Sequence, residues 1–393
     1  MITVLGYDGS PLGAEARALV DAADLVVGAQ RALDAAGAPE GSLVLGRVDP
    51  AIDRIEQAHE DGRSVVVLAS GDPGFFGILR LLQEAELPCE VVPAVSSVAR
   101  AFALAGLPWT GAEVVSLHGR DPRKALNVVR RAQTAAVLTS PEAGPREVAG
   151  VLLGREDRSL FVAERLGESD QRTGWYSPEQ VVGRDDWRDP NVVVSADPEP
   201  MPTDVPWRLG PEPPPGGWAL PDRLFVHRDG MVTKAEVRAV VLARLAPGPG
   251  ELIWDVGAGS GSVGVECARL GAAVFLVEQD PAQAADAAAN AARLARCEVV
   301  VGTAPQALKG LPQPDAVFVG GGGPEVVAAV AAVRPQRVVV ALATVERVAP
   351  TLAALDGYDV DSVLVQVSRL QPLGDGHRLV PANPVFVLAG ALR

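Results

Sequence analysis

The stretch ADPEPMPTDVPWRLGPEPPPGGWALPD (Ala196–Asp222) limits this chain more than any other, because nine of its 27 residues are proline. Proline lacks a backbone N–H and holds φ fixed, so neither a helix nor a central strand can run through such a segment. With little to bury, it reads as a semi-rigid linker. The 393 residues are therefore expected to fold as two bodies, 1–196 and 222–393, joined by residues 197–221. No internal repeat relates them.

Bulk composition narrows the class. At 48% hydrophobic and 21% charged residues, each body can bury a core. A net charge of −14 repels polyanions, so nucleic acid is not an expected partner. Cys89, Cys267 and Cys297 form no CxxC pair. They suit a reducing cytoplasm, read as small buried hydrophobes and offer no zinc site. The opening MITVLGYDG has no basic and apolar leader pattern. No run approaches the roughly 18 apolar residues of a membrane span, so no membrane partner is expected. The expected location is the cytoplasm.

Short apolar runs alternate with helical spacing through both bodies. Ile2–Gly6, Leu25–Gly28, Ser42–Leu45, Ser64–Ala69, Glu90–Pro93, Glu113–Leu117, Ala135–Thr139, Leu160–Ala163 and Asn191–Ser195 read as strands in the first. The second repeats the alternation more regularly: helix Lys234–Leu245, strand Leu252–Val256, helix Gly261–Leu270, strand Ala273–Glu278, helix Pro281–Ala295, then strands Glu298–Val301 and Ala316–Gly320. Such order implies α/β units with much parallel pairing. Continuous apolar runs fit strands covered on both faces. A doubly wound sheet would place its ligand at the carboxyl ends of the strands.

In the second body, DVGAGSG (Asp255–Gly261) joins a strand to a helix. Its glycines permit a tight turn and close approach of backbone to a ligand. The helix start offers free N–H groups and a positive dipole end. Glu278 closes the next strand about 20 residues on, where an acid can accept both ribose hydroxyls. An adenosine-containing cofactor is the expected ligand, with two candidates. Gly259, Gly261 and Gly264 spell the G-x-G-x-x-G of NAD sites. Asp255, however, already closes the strand ahead of Gly257-Ala258-Gly259-Ser260-Gly261. That arrangement resembles motif I of the class I S-adenosylmethionine (SAM) methyltransferases, which favours SAM. In such folds Gly302, Thr303 and Ala304 would edge the adenine. The run Gly320–Gly323 opens room beside the methyl donor, or is a flexible surface loop.

Around that loop, DRLFVHRDGMVTKAEVRAVVLARL, DAVFVGGGG and VSRLQPLGDGHRLVPANPVFVLAG resemble the decarboxylating methyltransferases of cobalamin biosynthesis, which methylate C15 of a corrin precursor. The resemblance covers nearly all of Asp222–Arg393. It implies SAM contacts by Thr233, Gly257–Gly261, Glu278 and Ala304.

The first body carries SGDPGFFG (Ser70–Gly77), which alone reads equally as a turn in which Asp72 caps a helix and Pro73 sets its first φ. The order of PAVSSVARAFALAGLPW, VVSLHGR, AAVLTSPEAGP and VAERLGESDQR behind it resembles the tetrapyrrole methylases, SAM enzymes of class III fold built from two α/β halves. That resemblance spans Met1–Ser195 and implies SAM contacts by Gly71, Asp72, Pro73 and Phe75, by Ser96 and Ser97, and by Leu117 and His118. The loop GYDGSP (Gly6–Pro11) lacks the G-x-G-P-G frequent in that superfamily.

Fused in one chain, the two halves resemble the precorrin-6Y C5,15-methyltransferases (decarboxylating). The family implies methylation of C5 and C15 and loss of carbon dioxide from the ring C acetate, giving precorrin-8X. It also implies a homo-oligomer. SAM departs as a neutral thioether and reduced meso carbons are enamine-like, so no strong protein nucleophile is needed. The small-molecule tetrapyrrole carries many carboxylates. Candidate cations and proton handlers are His227, Arg228, His377, Arg378, His118 and Arg120, with Arg123 and Lys124 as further cations. Three other readings stand beside this one: the same steps on cobalt-containing intermediates, methylation of RNA ribose, and a carrier with vestigial SAM loops.

Overall fold

A computed structural model of the chain describes residues 1–45, 48–119, 121–197, 217–228 and 231–393. Residues 198–216 of the expected linker, and the candidate cation Arg120, lie outside the described residues. Two compact units result, one of Met1–Pro122 with Gln133–Pro211, the other of Arg123–Ala132 with Glu212–Arg393.

The first unit contains two five-stranded sheets. Strands β1 (Ile2–Tyr7), β2 (Leu25–Gly28), β3 (Leu43–Val44), β4 (Val65–Ser70) and β5 (Cys89–Val92) pair in parallel, in the order β3-β2-β4-β1-β5. Helices α1 (Ala14–Asp21), α2 (Gln30–Ala36), α3 (Val48–Glu60) and α4 (Leu79–Glu84) fall between them in sequence. Alternate residues of one strand enter different cores: Val67 packs with Ile2, Val4 and Ile55, whereas Leu68 packs with Leu5, Val20 and Leu33. Burial on both faces is why β4 is apolar without a polar phase.

The second sheet is mostly antiparallel. It holds β6 (Glu113–Ser116), β7 (Thr134–Leu138), β8 (Ser159–Glu164), β9 (Arg172–Tyr176) and β10 (Asn191–Ala196), in the order β6-β7-β10-β8-β9. Only β6 and β7 run parallel. Helix α5 (Ser97–Ala105) buries Val98, Ala101 and Phe102 against Ala136, Phe161 and Val194. Strand β9 is absent from the sequence expectations. It is an edge strand of half-exposed and exposed residues, so no apolar period marks it.

The second unit takes in α6 (Arg123–Arg131). Helices α7 (Pro145–Gly150) and α8 (Pro178–Val182) follow it in sequence and belong to the first unit. The second unit's sheet runs β13-β12-β11-β14-β15-β19-β16. Its strands are β11 (Leu252–Val256), β12 (Ala273–Glu278), β13 (Glu298–Val301), β14 (Ala316–Val319), β15 (Arg337–Leu342), β16 (Tyr358–Val365) and β19 (Val385–Leu392). All pair in parallel except around β19, which is antiparallel to both neighbours. Helices α9 (Ala235–Leu245), α10 (Ser262–Arg269) and α11 (Pro281–Leu294) contribute to one core, and α12 (Pro324–Val333) and α13 (Val348–Ala354) to the other. The sheet is doubly wound. Strand β11 lies between β12 and β14, so the order reverses at its carboxyl end, where open α/β sheets form a crevice. A two-stranded hairpin, β17 (Ser368–Leu373) with β18 (Gly376–Pro381), is solvent-exposed almost throughout. Among the described residues no helix is long and apolar enough to cross a membrane.

Candidate functional site

At the end of β11 the chain turns through Gly257 with φ +71°. A Cβ there would meet the Gly321 nitrogen at 2.7 Å, so both the left-handed backbone and the close approach demand glycine. The amides of Gly257 and Ala258 donate to the Val277 carbonyl, and the Gly320 amide donates to the Val256 carbonyl at 2.9 Å. Three strand ends are thereby gathered at one point.

Asp255 is 1% exposed. Its Oδ2 accepts the Gly264 amide of α10 at 2.8 Å, while its Oδ1 is buried with no partner. Burial pushes its carboxyl up to about 7; the Gly264 amide opposes this and the nearby Glu278 adds to it. An unpartnered buried oxygen costs free energy, and a cationic group on that side would satisfy it. Glu278 is buried at the end of β12. Its Oε2 accepts the Gly259 amide at 2.8 Å and its Oε1 the Asp280 amide at 2.9 Å. Its carbonyl accepts the Gly302 amide at 2.9 Å, which brings the third strand's loop alongside. There Thr303 is exposed and Ala304 half-buried.

Asn290, on α11, was not foreseen from sequence. Fully buried, its Nδ2 donates to the Ser260 carbonyl at 2.9 Å and the Val226 carbonyl at 2.8 Å, and its Oδ1 accepts the Val226 amide at 2.8 Å. It therefore stitches the segment carrying His227 to the glycine loop. The Nδ1 of His227 is buried and unpartnered. A second clamp is the Arg238–Glu266 pair, with both side chains 0% exposed and Nε to Oε1 at 2.7 Å. Arg238 also donates to the carbonyls of Leu220 and Thr233. Glu266 accepts the amides of Ala219 and Leu220 at 2.8 and 2.7 Å. The half-exposed Thr233 is thus held through its backbone. The only sequence signals for these residues were polar side chains interrupting apolar helical faces.

Other candidates are placed differently. Arg228 is exposed and pairs with Asp286 at 3.0 Å. His377 and Arg378 stand on exposed β18, opposite Pro372 and Gln371 of β17. Arg123 belongs to the second unit, where it pairs with Asp315 at 2.7 Å.

In the first unit a cavity of about 1420 Å³ lies between the two halves. Gly71, Phe75, Ser97 and His118 line it. Gly71 has φ +70°, and a Cβ there would stand 3.2 Å from the Ser97 nitrogen, so this loop and the start of α5 pack backbone to backbone. Ser96 caps α5 by accepting the Ala99 amide at 3.1 Å. Leu117 is buried, its amide on the Leu138 carbonyl at 2.8 Å. Asp72 Oδ1 accepts the Gly74 amide at 2.8 Å, and Pro73 is buried. The helix-capping alternative for Asp72 does not hold, because α4 starts only at Leu79. The opening loop also reaches this cavity: Asp8 and Gly9 line it, and Arg100 donates to the Asp8 carbonyl at 2.6 Å.

The three thiols are free, and burial raises those of Cys267 and Cys297. Among the described residues no cluster of His, Cys, Asp and Glu could hold a metal ion.

Comparison with known proteins follows the same division. Residues 9–175 match the tetrapyrrole (corrin/porphyrin) methylases, and residues 223–390 match the family described as precorrin methyltransferase domain. A precorrin-6Y C(5,15)-methyltransferase (decarboxylating) of Sinorhizobium sp is 34% identical over 411 residues, covering 97% of this chain and 93% of that one. One of the same name from Mycobacterium tuberculosis (strain CDC 1551 / Oshkosh) is 33% identical over 285 residues, covering 70% and 67%. A cobalt-precorrin-6B C(15)-methyltransferase (decarboxylating) of Salmonella typhimurium is 35% identical over 183 residues, covering 43% of this chain and 94% of that one.

Proposed function

The chain belongs to the precorrin-6Y C5,15-methyltransferase (decarboxylating) family, and we propose that residues 1–196 and 222–393 divide that family's two methyl transfers, with 197–221 joining them. On this reading the first unit methylates C5 of precorrin-6Y in its cleft. The second methylates C15 and governs loss of carbon dioxide from the ring C acetate, giving precorrin-8X. Relatives that share both halves carry the metal-free substrate in their names, which favours precorrin-6Y over its cobalt-containing counterpart. A cytoplasmic homo-oligomer belongs to the same proposal.

SAM would supply an electrophilic methyl group at each site. In the second unit, Asp255 Oδ1 supports the cofactor reading most directly, because a buried unpartnered carboxylate oxygen suits a cationic ligand. Glu278, beside it, is placed to accept ribose hydroxyls while two backbone amides hold its orientation. Gly302–Ala304 would border the adenine. In the first unit, Gly71, Phe75, Ser97 and His118 would face the cofactor, and Asp72, Pro73, Ser96 and Leu117 would hold that wall in shape.

Neither transfer demands a protein nucleophile. Alignment in a water-poor site is the protein's main contribution, and well-oriented reactants reach effective molarities on the order of 10⁵–10⁸ M. For the decarboxylation the macrocycle is the electron sink. The protein orients the acetate and handles a proton, and His227, tied to the glycine loop through Asn290, is the side chain best placed for that. Purified protein given SAM and precorrin-6Y should yield a product two methyl groups heavier and one CO₂ lighter by mass spectrometry. An unchanged mass together with no SAM binding would overturn the reading.

A further inference from the structure

Arg31 stands on α2, and Arg165, Glu168 and Ser70 join it on the wall of the first unit's cavity. Arg165 is firmly committed: its Nε donates to Glu168 Oε2 at 2.8 Å, its Nη2 also contacts that oxygen, and Asp170 Oδ1 lies 3.2 Å from the same Nε. Arg31 is not. It reaches Glu168 only at 3.6 Å through Nη1, outside hydrogen-bond range. Its one hydrogen bond among the described residues is Nη2 to Ser70 Oγ at 3.0 Å. A guanidinium carries five N–H donors in a fork that fits a carboxylate bidentately. Arg31 therefore faces the cavity with most of its donors unspent and a loosely placed counter-ion. Ser70 immediately precedes Gly71, so this guanidinium sits beside the glycine loop.

The surroundings explain why a carboxylate is the missing partner. Partial burial and neighbouring Arg165 both disfavour the charge on Arg31, and Glu168 alone offsets them. Glu168 is itself shared, since Arg165 holds it more closely. On the other side Tyr7 and Asp8 line the same cavity. Burial, then Asp8 and Glu168, raise the Tyr7 hydroxyl, which keeps it a neutral donor there. A dianionic arrangement of Glu168 and an incoming acid would be tolerated only with both guanidiniums present.

We propose that Arg31 is a carboxylate-anchoring subsite of the first unit's cleft, which takes a carboxylate arm of the tetrapyrrole, with Glu168 as its resident counter-ion. When the arm enters, Glu168 stays on Arg165 and gives up its weak contact with Arg31. The empty cleft thereby keeps its cation neutralised, and the filled cleft gains a bidentate pair. This inference rests on the reading that the first unit's cleft holds a polycarboxylate macrocycle.

The test uses the full-length chain and three variants, Arg31→Met, Arg31→Lys and Glu168→Gln, each checked for an unchanged Tm. Steady-state C5 methylation gives KM separately for the tetrapyrrole and for SAM. Fluorescence titration with uroporphyrin, an octacarboxylate macrocycle, reads binding without turnover. Loss of a charge-assisted bidentate pair predicts a roughly 10–100-fold rise in tetrapyrrole KM and uroporphyrin Kd for Arg31→Met. Arg31→Lys should recover part of that loss, Glu168→Gln should tighten binding severalfold, and KM for SAM should stay within about twofold in all three. A change confined to KM for SAM would assign Arg31 to the cofactor's carboxylate and overturn the proposal, as would no change in either. Equal weakening by Glu168→Gln would overturn the exchange. Loss of uroporphyrin binding in Arg31→Met, with no C5 methylation by the wild type, would spare the subsite and remove the functional reading.

Discussion

The glycine loop of the second unit and the glycine loop of the first are built differently, and on the proposed function each would meet its ligand by a different means. Asp255–Gly264 is self-contained: strand end, turn, acid and helix start follow within ten residues, and the second acid waits at the next strand end. Gly71–Gly77 is one wall of a cavity whose other walls come from Tyr7, Arg31, His118 and Arg165. A site assembled by one βαβ unit concentrates charge at a buried point. A site assembled between two halves spreads it over a large, partly open surface. Asp255 accordingly has no water to ionise into, whereas Arg31 and Glu168 remain within reach of solvent.

That contrast can be broken by mutation. The largest effect is expected at Asp255→Ala, which removes the buried partner of a cation and should cost the C15 reaction on the order of 10²–10³-fold. C5 methylation should continue, so a singly methylated product that keeps its acetate accumulates in the mass spectrum. Next comes the buried pair beneath the loop. Arg238→Met breaks a fully buried ion pair and leaves Glu266 with Arg269, at 3.4 Å, as its remaining cationic partner, a defect that costs about 3–5 kcal/mol. The second unit's thermal transition should drop by roughly 6–20 °C while the first unit's stays, as calorimetry would show. A single transition moving as a whole would contradict independent units.

The smallest effect is a pH dependence, and its sign differs between free and bound states. Asp255 has a folded-state pKa of about 7 against an ordinary 3.8. Its contribution to the free protein's stability is thus complete below about pH 4 and fades as pH rises through 7. Binding of a cationic ligand runs the other way. Affinity at this site should strengthen as pH rises toward 7, by up to about tenfold per unit, and then level off. Asp255→Asn should flatten both profiles, and the first unit's site should show neither.

The same contrast decides what could be read from sequence. Asp255, the glycines and Glu278 were legible because the strand, turn and helix that align them are contiguous, and the spacing to the second acid is set by one βαβ crossover. Asn290 was not, since its partners Val226 and Ser260 lie 64 and 30 residues away. Arg238 and Glu266 look like ordinary surface charges in a linear pattern, and only the folded chain buries them against the segment 217–222. In the first unit, Gly71 and Ser97 were picked out through the order of motifs, but Arg31 belongs to none of the quoted motifs, and Arg165, though inside VAERLGESDQR, carried no linear sign that it lines the cavity. Asp72 left two readings open on its own, because Gly-Asp-Pro is also how a helix begins; here the chain makes one more turn before α4, which removes the capping alternative. Strand β9 and the hairpin β17–β18 escaped periodicity because exposed strands carry no buried phase.

The central claim is two separate sites for one cofactor, and calorimetric titration of the full-length chain with SAM tests it most directly. Two molecules should bind per chain, and Asp255→Ala should bind one, with the remaining affinity unchanged. A wild-type stoichiometry of one, or loss of all binding in Asp255→Ala, would contradict the account.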